Sequence, residues 1–369
     1  MPGFTLAPAL HLYAAFQRVS ALRPLQRLVR TSEEKRRPRR IEAHAGGGEA
    51  QDRLLGAGGA GLHQRARIMR EDGCGLVPTI VLGGFVPDAT EQVFLLRRML
   101  RRSGDIYYVN YSRTGFSLDL VLAQLADLVA ELAARGQPPV LLGVSFGAGL
   151  VLEFLRRQRL AGAAAPLSGV ILVSPAGCVA DVMAAGRAKP DTLLGRAVQP
   201  YLGAEPPAAS AIERSRTIFA RMFEAGAQNK AALKVLMSPT ELEQLRSAVL
   251  AAIREVSPTG AWERVAAFRA MPEPTAYFSP AILPLTEAPA LVLFAEQEDG
   301  VLVAGAPTRF ALETGLRAYF PTGRLGRVSA LPGQPPVQHA SLIFHVFEFL
   351  PPLQTFFGRL RAARLRRAA

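Results

Sequence analysis

The chain has 369 residues, 49% hydrophobic and 20% charged, with a formal net charge of +13. That apolar share excludes a disordered or collagen-like chain, and the length allows one large domain or two modest ones. No apolar run approaches the roughly 18–20 residues that cross a bilayer.

Residues 1–75 are heterogeneous. The opening "MPGFTLAPALHLYAAFQRVSALRPL" carries no basic stretch ahead of its apolar part, so a secretory leader is not expected. A charged linker, "RTSEEKRRPRR" (30–40), leads into a glycine-rich segment that reads as loops with short strands at most. His44 and His63 lie there without evident partners. From residue 76 the pattern changes. "LVPTIVLGGF" (76–85) is a short continuous apolar run, as a strand buried on both faces requires. A helix is expected over 89–102, a strand over 104–113 and an amphipathic helix over 118–136, with Gly136 as its stop. A strand over 138–145, a helix from 146 and a strand over 167–177 follow. Strands alternating with helices imply a mostly parallel sheet flanked by helices, an α/β fold. Alternation stops near residue 178. Residues 181–284 read as helical, broken at Pro190, Pro200, Pro239, Pro258 and Pro272. "APALVLFAEQEDGVLV" (288–303) then restores a buried strand, followed by a helix over 307–320, a strand over 326–333 and a helix over 339–367.

Two cysteines, Cys74 and Cys178, make neither a disulfide framework nor a zinc site, and they fit a reducing, cytoplasmic setting. The positive charge is nearly all arginine, lysine supplying four of the 43 basic residues. No aromatic residues interleave with the basic runs and no nucleic-acid motif occurs, so nucleic acid is not an expected partner. The basic C-terminal stretch "GRLRAARLRRAA" (358–369) reads as solvated surface, with a weak peripheral membrane contact as the alternative.

The chemistry centres on "VLLGVSFGAGLVLEFL" (140–155), where an expected strand meets an expected helix at Ser145. Side-chain bulk beside a sharp strand–helix corner would clash, so Gly143 and Gly147 leave it room. The pattern is G-x-S-x-G in its strand–turn–helix context. At the helix N-terminus, the amide of Phe146 can face a developing oxyanion.

These residues resemble the α/β-hydrolase superfamily over about 76–180 and 285–369. The resemblance implies a nucleophile, an acid and a histidine in that chain order. Ser145 is then the nucleophile and His339 in "VQHASLIFH" the base, with His345 expected inside the last helix. Among the carboxylates of "LVLFAEQEDGVLV", Asp299 best matches the family's acid pattern. Glu298 is the alternative acid, and Glu296 an ordinary solvated charge. "VLGGFVP" stands where the family places its second oxyanion loop, which assigns that role to the amide of Phe85, with Gly84 allowing close approach. Residues 181–284 stand where the family carries a helical cap. Neither cofactor nor metal is implied. The implied activity is hydrolysis of a carboxylic ester or thioester of a small or apolar acyl group. Acyl transfer on the same triad and a non-catalytic binding scaffold remain alternatives.

Overall fold

The computed structural model describes residues 41–184, 186, 189–226 and 237–368. The charged linker at 30–40 and the amphipathic stretch before it lie outside the described residues. Eight strands form one sheet: β1 (Ile41–Ala43), β2 (Arg67–Glu71), β3 (Thr79–Leu82), β4 (Ile106–Asn110), β5 (Val140–Val144), β6 (Gly169–Val173), β7 (Ala290–Ala295) and β8 (Arg324–Val328). Their order is β1-β2-β4-β3-β5-β6-β7-β8. Strands β3 to β8 pair in parallel, while β1 and β2 are antiparallel additions at one edge.

The central strands are the expected apolar runs, and every residue of β3, β5, β6 and β7 is buried. Their side chains alternate between two cores, as the period of two requires. Leu82, Leu141, Leu172 and Val292 join one core, beneath α2 (Leu118–Ala134) and α3 (Phe146–Leu160), α1 (Glu49–Gly56) lying between β1 and β2 in the chain. Val81, Leu142, Ile171 and Leu293 join the other. That second core also takes Phe349, Leu353 and Phe357 of the C-terminal helix Val346–Ala368.

The sequence places the start of the sheet at residue 76, whereas β1 and β2 precede it. β2 reads "RIMRE" and is only partly buried, so it lacks the apolar run that marks the inner strands. The helix expected over 89–102 is broken into short pieces, Ala89–Gln92 and Arg97–Arg101.

Between β6 and β7 the chain is helical: α4 (Leu193–Val198), α5 (Ala209–Gly226), α6 (Pro239–Glu255) and α7 (Pro258–Ala270). Polar bonds pin this segment to the loop after β4. Phe116 donates its N–H to Glu263 at 2.6 Å, and Ser257 donates its N–H to the Arg113 carbonyl at 2.7 Å. Arg113 also pairs with Asp88 on one side and Glu255 on the other.

The basic C-terminal helix uses part of its charge internally. Arg361 donates to Ser103 Oγ at 3.2 Å, and Arg364 to the Leu76 carbonyl at 2.8 Å. Both acceptors precede inner strands, β4 and β3, at the end of the sheet opposite the one that carries Ser145. Among the described residues no helix is long and apolar enough to cross a membrane.

Candidate active site

Ser145 occupies the corner between β5 and α3 with φ 53° and ψ −117°, a region that side-chain-bearing residues rarely enter. The surroundings hold it there. Its N–H donates to the Val173 carbonyl at 2.9 Å, and its own carbonyl accepts from Ala148 at 2.9 Å and Ala176 at 3.2 Å. A Cβ at Gly147 would overlap the carbonyl oxygens of Leu82 and Gly83, and one at Gly143 would overlap the backbone of Ala148. These two glycines therefore let α3 close against the ends of β3 and β5. Gly84 differs from its expected part. A Cβ there would meet Ser145 Cβ at an ordinary 3.5 Å, and its N–H is held by Gln92 Oε1 at 2.9 Å.

His339 lies on the turn between β8 and the C-terminal helix. Its Nε2 is 2.8 Å from Ser145 Oγ, and its Nδ1 contacts the Glu298 carboxylate. An ionised carboxylate only accepts, so Nδ1 carries the proton and Nε2 is free to accept from the serine hydroxyl.

The acid beside His339 is Glu298, not Asp299. Glu298 is 1% exposed, whereas Asp299 lies exposed in the following turn. The extra methylene of glutamate lets Glu298 fold back on its own strand. Its Oε1 accepts from the Ala295 N–H at 2.6 Å and from the Ser174 hydroxyl at 2.8 Å, leaving Oε2 for the histidine.

Ser174, at the end of β6, has no marker in the sequence beyond its place at a strand end. It joins the two loops, donating to Glu298 and accepting from the Ala340 N–H at 3.1 Å. A parallel bridge between Gln297 and Gln338 aligns the same loops. Among the described residues the non-glycine positions with positive φ are Ser145, Ser174 and Ala340, and all three sit here. Such strain persists only where neighbours over-determine it, and it concentrates at functional sites.

Phe85 and Phe146 stack ring on ring at 4.3 Å, which fixes the loop after β3 against the start of α3. Among the described residues neither amide is spent on a backbone carbonyl. A cavity of about 130 Å³ opens over Ser145 and His339. Its apolar wall comes from α4, α5 and α6 through Leu194, Phe219, Met222, Phe223, Val249 and Ile253. Phe219, Met222 and Phe223 of α5 line this cavity, and Trp262 on α7 donates its Nε1–H to the Gly203 carbonyl at 3.1 Å.

Arg264 on α7 gives no sign in the sequence, where it reads as one more surface arginine. It is 5% exposed and donates to the carbonyls of Phe85 at 2.7 Å and Ser112 at 2.9 Å. Its guanidinium lies 5.3 Å from the Tyr111 ring and 5.7 Å from the Phe116 ring. Burial lowers its pKa to about 10, so it stays charged at neutral pH. His345 lies just ahead of the last helix rather than inside it. It is buried against Ser341 Oγ at 3.0 Å and the Pro335 carbonyl at 3.2 Å, away from Ser145. Among the described residues no three His, Cys, Asp or Glu side chains are grouped to hold a metal ion.

Among curated proteins no sequence matches. Solved structures do. A bacterial membrane phospholipase A, described as a virulence factor, is 16% identical with a TM-score of 0.55, covering 96% of this chain and 98% of its own. An esterase from Rhodococcus sp. is 19% identical with a TM-score of 0.51, covering 80% of this chain and 96% of its own. A putative aryl esterase from Burkholderia cenocepacia is 15% identical with a TM-score of 0.52, covering 80% and 96%. At these identities the likeness is one of fold. The model of the alpha/beta hydrolase family matches residues 83–318, more than half of the chain and including the Ser145 corner. The protein therefore belongs to the alpha/beta hydrolase family.

Proposed function

We propose that the protein is a serine hydrolase that cleaves a carboxylic ester or thioester of a small or apolar acyl group. The observation that carries this reading is the relay in which His339 joins Ser145 Oγ, at 2.8 Å, to the buried Glu298 carboxylate. A serine hydroxyl is a poor nucleophile until a base removes its proton. In the proposed reaction His339 Nε2 takes that proton as Oγ bonds to the substrate carbonyl carbon. Glu298 holds the neutral tautomer and stabilises the imidazolium that forms. The amides of Phe85 and Phe146 receive the tetrahedral oxyanion. Collapse breaks the ester bond, and His339 returns the proton to the departing oxygen or sulfur. A water, deprotonated by the same histidine, then releases the acid and restores Ser145.

The helical segment within residues 181–284 acts as a cap in this account. Its apolar side chains meet the cavity over Ser145, and about 130 Å³ suits a short acyl chain. The test is hydrolysis of p-nitrophenyl butyrate by the purified protein and by Ser145→Ala. Wild type should release a burst of p-nitrophenol equal to the enzyme present, and the variant should lose about 10³-fold or more of kcat. Equal rates in the two would remove Ser145 from the reaction.

A further inference from the structure

In the loop after β3, two peptide units are held by side chains and the unit between them is not. The Gly83–Gly84 unit is held at both ends. Its carbonyl accepts from the Tyr111 hydroxyl at 2.8 Å, and its N–H donates to Gln92 Oε1 at 2.9 Å. In the Phe85–Val86 unit the carbonyl accepts from Arg264 at 2.7 Å. Between them lies the Gly84–Phe85 unit, whose N–H is the donor that the proposed reaction assigns to the oxyanion. The three side chains come from separate places: Gln92 ends the short helix Ala89–Gln92, Tyr111 follows β4, and Arg264 stands on α7. All three are buried. Burial raises the pKa of Tyr111, so its phenol keeps its proton and donates.

A peptide unit is planar, so with both neighbours fixed the middle one turns only about the line joining its Cα atoms. Reversing it would carry Phe85 to positive φ, a region that disfavours side chains. Phe85 is not among the residues found there. Its ring is pinned as well, stacked on Phe146 at 4.3 Å and edge-on to Phe268 of α7 at 5.3 Å. The direction of its N–H is therefore set before a substrate arrives. Donors fixed in advance stabilise a developing charge without reorganising at the moment of reaction. We propose that Gln92, Tyr111 and Arg264 are positioning residues that aim the Phe85 N–H at the oxyanion. The proposal rests on the hydrolase reading. Arg264 thus acts on a strand-end loop although it stands on α7.

The experiment measures hydrolysis of p-nitrophenyl butyrate and its inhibition by butylboronic acid, which forms a tetrahedral adduct on an active-site serine and mimics the oxyanion. Tyr111→Phe removes one hydroxyl and keeps the ring. Its kcat should fall about 10-fold, as loss of a group that orients a reacting one does, with KM within about twofold. Its affinity for the boronic acid should fall by the same factor as kcat/KM, because both report binding of the tetrahedral state. Gln92→Met and Arg264→Met should lie on the same line of boronate affinity against kcat/KM. Arg264→Met removes a buried charge and disturbs the fold most, so Tyr111→Phe carries the test by itself. Tyr111→Phe with wild-type kcat and boronate affinity, or with a loss confined to KM, would overturn the positioning and leave the hydrolase reading intact. Wild type inert toward the ester and unable to bind the boronic acid would overturn both.

Discussion

The loops at the strand ends and the helical segment above them are built in opposite ways. Around Ser145, His339 and Glu298 the backbone is over-determined. Three residues with positive φ, a bridge between Gln297 and Gln338, and the Ser174 hydroxyl fix three loops to one another. The helical segment meets the same cavity with interchangeable apolar side chains, Phe219, Met222 and Phe223 among them. Directed bonds hold it to the core elsewhere, through Leu193 on α4, whose N–H donates to the Gly300 carbonyl, Glu255 on α6, and Ser257, Glu263 and Arg264 on α7. The contrast separates two tasks. In the proposed reaction the strand ends hold the groups that move protons, where a small displacement is costly. In the same proposal the helices shape the space a substrate fills, where volume matters more than angle. Changes at the strand ends should lower the rate for every substrate, and changes in the helices should alter the order among substrates.

The sharpest break between the two regions comes from the adjacent carboxylates. Glu298→Gln should lower kcat about 10³–10⁴-fold on any ester, since it removes the charge that orients His339. Asp299→Asn, one residue on and exposed, should stay within about twofold by the same assay, as surface substitutions usually do. Ser174→Ala comes next. It removes the hydroxyl that bridges Glu298 and the Ala340 N–H, and we expect kcat to drop about 10-fold with KM little changed. Phe223→Ala on α5 should leave kcat for acetate esters near wild type. It should raise kcat/KM for longer acyl chains by several-fold, because a larger pocket gains about 0.8 kcal/mol per buried methylene. An unchanged chain-length profile would show that α5 does not face the acyl group.

The smallest effect concerns stability. Burial holds the His345 pKa below its ordinary 6.5, outweighing the pull of the Pro335 carbonyl and the Glu296 carboxylate. The unfolded chain therefore binds this proton more readily than the folded one. Stability is complete above pH 6.5 and falls as pH drops through it toward the folded pKa. Thermal midpoints across that window should fall less steeply in His345→Gln than in wild type. Parallel slopes would contradict the burial argument.

The parallel core was legible because its strands are short unbroken apolar runs, such as "VLLGV" and "ALVLFA". The edge strands were not, since "RIMRE" carries charges that an edge tolerates and a centre does not. Ser145 was visible for a local reason, a serine framed by glycines where strand meets helix. His339 came into view through chain order alone. Choosing between Glu298 and Asp299 was beyond the sequence. Which of two neighbouring carboxylates turns inward depends on Ser174, 124 residues away in the chain, and on the bridge between two loops. Arg264 was hidden for a similar reason. An arginine in a helix reads as solvent-facing, and only packing against Tyr111 and Phe116 reveals it as buried.

The most direct test of an activated Ser145 is covalent labelling of the purified protein with a fluorophosphonate, followed by mass spectrometry of its peptides. The account predicts one adduct, on the peptide carrying Ser145, with labelling strongly slowed in Glu298→Gln and unaltered in Asp299→Asn. An adduct on another residue, or labelling of Ser145 that is indifferent to Glu298, would contradict it.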